Sequence, residues 1–332
     1  MSPLLQVEDL DVRYRTRRGV LQAVDRVAFT VQAGETLGLV GESGCGKSSL
    51  GKAIMRIVDP HSGAIRLDGV DIARLGGRRL RPHRRRFQMI FQDPAASLNP
   101  RRTVGSLIEE PLALHGLGRP AERRDRVRAL MAQVGLHPDL GDRLPHQFSG
   151  GQCQRVAIAR ALALEPDLIV CDEPVSALDV SLQAQILNLL SDLQQARGVA
   201  YLFISHDLSV VQHLADRIAV MYLGQIVEIA HRTALWRNPA HPYSRALIAA
   251  VPRMDPGRHR LDKARLLPGD LPNPYDPPAG CRFHTRCPHA MKICRERPPA
   301  LTAVAPGHAV ACHLHGDGPA AANDLPAKEA LP

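Results

Sequence analysis

A chain of 332 residues has room for one large α/β domain and a small appendage, with a core that is stable without disulfide staples. Its 42 Lys and Arg outnumber 33 Asp and Glu, and the net charge of +9 favours an anionic partner (nucleotide, nucleic acid or lipid headgroup) without choosing among them. The opening MSPLLQVEDLDVRYRTRRGV has acidic residues and no apolar h-region, and no uncharged apolar run reaches about 18 residues, so the sequence reads as neither exported nor membrane-spanning.

In chain order, LLQVEDLDVRY, VDRVAFTVQAG and SGAIRLDGVDI alternate apolar and polar residues around Gly turns, which predicts an antiparallel β layer. Four short apolar runs, Thr36 to Val40, Gln88 to Phe91, Asp167 to Cys171 and Val199 to Ile204, read as buried strands alternating with helix-length stretches. That alternation predicts an α/β fold with a largely parallel sheet. An Arg-rich helical pattern from Pro94, placed over about 94–160, predicts an inserted helical subdomain within a large domain of residues 1–250.

From Pro252 onward, prolines at 256, 268, 272, 274, 277 and 278 predict a linker or extended wrap leading to a cysteine-bearing unit, together residues 251–315. Residues 316–332 lack any apolar period and read as disordered. An odd count of seven cysteines argues for thiols or metal ligands and against a disulfide framework.

The segment Gly41-Glu42-Ser43-Gly44-Cys45-Gly46-Lys47-Ser48 fits G-x-x-x-x-G-K-[ST] and lies between the run TLGLV and the helical stretch SSLGKAIMRI, where Ser49 follows. Its glycines let backbone N–H groups form an anion nest at a helix N-terminus. Lys47 is expected to reach the β- and γ-phosphates of ATP, and the Ser48 hydroxyl to take Mg²⁺. DLIVCDEP ends a fully apolar strand in two carboxylates: Asp172 is placed to hold Mg²⁺ through a water, and Glu173 to polarise the attacking water.

With these motifs Phe148-Ser149-Gly150-Gly151-Gln152 resembles the signature sequence of the ATP-binding subunits of ABC transporters, and the resemblance extends over nearly the whole chain. It implies a P-loop NTPase (RecA-like) core in which Ser149, Gly150, Gly151 and Gln152 cover the γ-phosphate of ATP held by a partner subunit. It further implies that Gln92 serves Mg²⁺ or the lytic water, that His206 contacts the γ-phosphate, that Asp179 crosses the dimer interface, and that Tyr14 stacks on adenine. Cys153 departs from the family, which usually has Arg there. The segments MIFQDPAASLNPRRTV, CDEPVSALDVSLQAQILNLL, MYLGQIVE and NPAHPYSRALIAAVP resemble the second ATPase of the oligopeptide and dipeptide importers. That resemblance implies a heterodimer with another ATPase, two transmembrane permeases, an extracytoplasmic solute-binding protein, and a peripheral place on the cytoplasmic face of the inner membrane. Nickel, glutathione or another small solute is the alternative cargo.

Cys281, Cys287, Cys294 and Cys312 offer four thiolates with little apolar sequence around them, a set that suits a 4Fe-4S cluster or zinc. The resemblance implies the cluster, with zinc or free thiols as the alternatives; His284, His289, His308 and His313 could replace a ligand but read as surface residues. The arginines at 78, 79, 81, 84, 85 and 86 read as a solvated or membrane-facing surface rather than a nucleic-acid grip, because only 4% of residues are aromatic and no recognition helix accompanies them. A soluble nucleic-acid-processing ABC ATPase is the rival reading, but the 125 residues from Lys47 to Asp172 leave no room for its long inserts.

Overall fold

The computed structural model describes residues 2–251 and 269–316. The expectations placed on Pro256, Pro268 and residues 317–332 lie outside them. The chain forms two compact units, one from the residues up to Gln32, Thr36–Ala73 and Ser205 onward, the other from Ala33–Glu35 and Arg74–Ile204.

The first unit opens with the expected antiparallel layer. Strand β1 (Leu5–Thr16) pairs with β2 (Gly19–Val31) and, on its other side, with β4 (Ser62–Leu67), which turns into β5 (Val70–Asp71). Leu5, Val7, Leu10 and Val12 are fully buried along one strand, while Arg13 and Arg15 stay exposed, the alternation expected of a half-buried sheet. Strand β3 (Thr36–Val40) is buried at every position and feeds helix α1 (Lys47–Ile54).

The second unit holds α2 (Gly77–His83), β6 (Phe87–Ile90), α3 (Val104–Leu114), α4 (Pro120–Gln133), α5 (Gly150–Leu162), β7 (Leu168–Asp172), α6 (Val180–Arg197) and β8 (Ala200–Ser205). Strands β6, β7 and β8 pair in parallel with Ile90, Cys171 and Phe203 in register. The strands sit within one residue of the predicted runs. Asp167 stays outside β7 because its N–H bonds the carbonyl of Arg86 and its carboxylate takes the Arg86 guanidinium at 2.6 Å. Asp172 joins the strand through its pairing with Ile204. Helices α3, α4 and α5 pack together through Leu107, Ile108, Leu112, Val127, Leu130 and Met131.

The chain returns to the first unit with α7 (Leu208–Leu214), β9 (Arg217–Tyr222), β10 (Gln225–His231), α8 (Arg232–Arg237), α9 (Pro242–Ala250), α10 (Lys292–Glu296), β11 (Thr302–Ala305) and β12 (His308–Val310). Strand β9 runs parallel to β3, β10 antiparallel to β9, and β12 antiparallel to β10 with Ile229 opposite Ala309. The cysteine-bearing segment is therefore not short of a core. Phe283 is 1% exposed, its ring lies 5.2 Å from Tyr222 and 5.4 Å from Tyr243, and Ala309 and Val310 are fully buried on β12. His308 also departs from the expectation of a surface residue: it is buried, with Nε2 2.7 Å from the fully buried carboxylate of Glu228. The buried anion needs partners, and a surface position for His308 would leave it short of one. Among the described residues no helix is long and apolar enough to cross a membrane.

Candidate functional site

In the first unit β3 delivers the chain to a tight loop whose conformation depends on glycine. Gly46 has φ +108°, and a Cβ there would stand 2.1 Å from the carbonyl oxygen of Ala23. Gly46 is also the residue before α1 and offers no side chain to cap it, so no N-cap side chain competes with an anion for the first N–H groups of that helix. Lys47 is 4% exposed and its Nζ donates to the carbonyls of Gly41 at 2.8 Å and Glu42 at 3.0 Å. Cys45 is buried beneath the loop; burial pushes its thiol up against the opposing pull of Lys47. Ser43 and Gly44 are exposed, while Ser48 and Ser49 are half-buried at the helix start. His206 is exposed just beyond β8, next to Asp207, which caps α7 by accepting the Ser209 N–H at 2.8 Å. Tyr14 is half-buried on β1 opposite Leu21.

In the second unit the parallel register of β6 and β7 carries two predicted residues together. Gln92 leaves the end of β6, Glu173 the end of β7, and Gln92 Nε2 donates to Glu173 Oε2 at 3.0 Å. Asp172, 3% exposed, ends the apolar strand. Glu173 has φ +47°, a left-handed backbone for a residue with a Cβ, held by donation of its N–H to the Ile204 carbonyl at 3.0 Å. Such strain gathers where a side chain must be aimed.

Ser149 and Gln152 form a reciprocal cap at the start of α5: Ser149 Oγ accepts the Gln152 N–H at 3.3 Å and Gln152 Oε1 accepts the Ser149 N–H at 2.9 Å. Ser149 and Gly150 are exposed, and Gly151 is buried where a Cβ would press to 3.2 Å from Leu182. Asp179 is exposed and caps α6, accepting from the Ser181 hydroxyl at 2.7 Å and the Leu182 N–H at 2.9 Å. These hydrogen bonds, Ser181 first, hold its carboxyl below the usual range.

Sequence reasoning passed over a group of residues around Glu42. Tyr243 on α9 accepts the Glu42 N–H at 2.9 Å, and Arg286 places Nη1 2.9 Å and 3.1 Å from the two Glu42 carboxylate oxygens. The signal lay in the HPY and CRFHTRC segments, but neither periodicity nor charge ties them to residue 42. Nearby, the Arg282 guanidinium takes the Asp25 carboxylate at 2.6 Å and donates to the Leu223 carbonyl.

The cysteines of the same unit are near neighbours. Burial pushes Cys281 up to about 11, and the charges of Cys294, Cys312 and Cys287 add to that; burial likewise raises Cys287 and Cys312. The Cys281 N–H bonds the Cys294 carbonyl at 2.8 Å. Among the described residues no three His, Cys, Asp or Glu side chains are drawn together closely enough to ligate a metal ion. Four soft thiols in one neighbourhood are nonetheless the donor set that iron–sulfur clusters and structural zinc take.

Residues 24–176 match the ABC transporter family, and residues 227–294 match the C-terminal region of oligopeptide and dipeptide transporters. The chain is 50% identical over 321 residues to the oligopeptide transport ATP-binding protein AppF of Bacillus subtilis, covering 94% of this chain and 97% of AppF. It is 52% identical over 311 residues to a Brucella ovis protein whose name describes peptide import and ATP binding, covering 94% of this chain and 98% of that protein. Among solved structures, the ATP-binding cassette MJ0796, bound to ADP and Pi as a dimer, matches with a TM-score of 0.64 and 29% identity over 69% of this chain and 98% of its own. Another, cbiO1 from Clostridium perfringens, part of the cbiONQ transporter complex, has a TM-score of 0.64 and 28% identity over 72% of this chain and 92% of its own. The loop at Gly41 to Ser48, the Gln92 and Glu173 pair and these matches agree: the chain belongs to the ABC transporter family, in the branch that carries the oligopeptide/dipeptide transporter C-terminal region.

Proposed function

We propose that this chain is the ATP-hydrolysing subunit of an importer for dipeptides or oligopeptides. The observation that carries the hydrolytic part is the 3.0 Å hydrogen bond from Gln92 to Glu173 beside Asp172 at the mouth of a buried strand. The names of its relatives and its C-terminal region support the peptide cargo. Nickel or glutathione would use the same motor.

Lys47 and the N–H groups of the loop bind the phosphates, with Ser43, Gly44, Cys45, Gly46 and Ser49 supplying the cradle and Tyr14 the stacking surface for adenine. Ser48, Asp172 and Gln92 are the residues that would hold Mg²⁺, which when bound neutralises charge on the transferred phosphate. Glu173 takes the proton of the attacking water, and the Gln92 amide fixes the direction of its carboxylate. His206 orients the γ-phosphate. Ser149 to Gln152 and Asp179 serve the nucleotide of a second ATPase. The working assembly adds two permeases and a solute-binding protein, with this subunit peripheral on the cytoplasmic face.

By the domain reading, residues 1–250 are the motor, with the helical subdomain at about 94–160, and residues 251–315 form the extension. The extension's four cysteines would hold a 4Fe-4S cluster, or zinc, as a structural centre.

The test is Glu173→Gln, which keeps shape and removes the base. Nucleotide binding should persist while turnover falls by about 10²–10⁴. Normal turnover would assign water activation to another residue. Affinity purification from membranes should recover two permeases and a second ATPase, and recovery of DNA without membrane protein would overturn the transporter reading.

A further inference from the structure

We propose that Arg286 of the cysteine-bearing extension is a positioning residue for nucleotide binding, acting through Glu42 to hold the phosphate loop in its binding shape. The proposal rests on the reading of that loop as the ATP site.

Three side chains hold Glu42. Its N–H donates to Tyr243 Oη at 2.9 Å, its carbonyl accepts from Lys47 Nζ at 3.0 Å, and its carboxylate takes the Arg286 guanidinium at 2.9 Å and 3.1 Å. Two of these partners come from beyond residue 240 in the chain. The ion pair is sheltered, with the Arg286 side chain 7% and the Glu42 side chain 26% exposed, so water screens it less than a surface pair. The guanidinium also lies 5.9 Å from the centre of the Tyr222 ring.

The arginine itself has little freedom. Phe283, three residues earlier, is wedged among Tyr222, Tyr243 and His241 at ring separations of 5.2, 5.4 and 5.5 Å. The Arg286 N–H bonds the Phe283 carbonyl at 3.0 Å, and Cys281 is tied to Cys294 at 2.8 Å. The extension is thus a rigid mount that presents one charge to the first variable position of the loop. Because Lys47 donates to the Glu42 carbonyl as well as to that of Gly41, a shift of Glu42 moves one of the two acceptors that set the Lys47 ammonium.

The experiment measures the affinity of the full chain for trinitrophenyl-ATP, its melting midpoint, and amide exchange over residues 41–48 without nucleotide. Arg286→Ala should weaken binding about tenfold, the scale of a lost charge-assisted contact that pre-organises a loop, and should speed exchange across the loop. Glu42→Gln should do the same, the double variant should be no worse than either single one, and Arg286→Lys should recover part of the affinity. Wild-type affinity and exchange in Arg286→Ala, additive losses in the double variant, or an affinity loss that only follows the melting midpoint would each overturn the proposal. Lys47→Ala separates the two readings: binding that does not depend on Lys47 sinks the assignment of the ATP site, while the exchange of residues 41–48 still reports on Arg286.

Discussion

His241 should make this protein acid-sensitive in a window that one substitution removes. Its Nδ1 accepts the Tyr243 N–H at 3.0 Å and so caps α9, which requires an unprotonated Nδ1. The residue is 1% exposed. Burial, first, and the nearby charges of His315 and Arg245 lower its pKa from 6.5 to about 4, with Glu228 opposing. With the folded value below the unfolded one, the unfolded chain takes up a proton that the folded chain refuses. The stability present above 6.5 is therefore lost as pH falls, and the loss levels off below about 4. Between about pH 7.5 and about pH 4.5 the difference amounts to about 2.5 kcal/mol. His241→Asn keeps a capping acceptor and does not titrate. Urea unfolding of both proteins at the two pH values should show the wild type losing about 2.5 kcal/mol more than the variant over that interval. An equal loss in both would refute the assignment of the proton to His241.

Two further outcomes can be measured directly. Gln154 is fully buried in α5, and neither atom of its amide has a hydrogen-bond partner among the described residues. Gln154→Met keeps the volume, removes that cost, and should raise stability by about 1 kcal/mol in a denaturant titration. Gly46→Ala, forced to φ +108° with its Cβ against the Ala23 carbonyl, should cost about 1–3 kcal/mol and weaken nucleotide binding, read by melting and by titration with trinitrophenyl-ATP.

The sequence made the phosphate loop and the strand carrying Asp172 legible because both announce themselves locally, by glycine spacing and by an apolar run ending in charge. The pairing of Gln92 with Glu173 was within reach for the same reason: two strands of one parallel sheet bring their ends together. Arg286 was not legible. Its partner lies 244 residues away, and a long-range ion pair leaves no periodic trace. His308 was misjudged on the same ground, since its partner Glu228 sits 80 residues back on a different strand. The extension looked poor in core because its apolar residues are few, and they are sufficient only because Tyr222 and Tyr243 wait for Phe283.

The antiparallel pairing of β12 with β10 bears on how this protein is handled. An ATPase cut off after α9 would keep every catalytic residue named here, yet its β10 would present the Val227 carbonyl, which the Ala311 N–H now takes at 2.8 Å, and the backbone of Ile229, now paired with Ala309. Unpaired strand borders of that kind recruit strands from neighbouring molecules. The extension acts as a selvedge, and a shortened chain should be sought in the insoluble fraction before its lack of activity is blamed on chemistry.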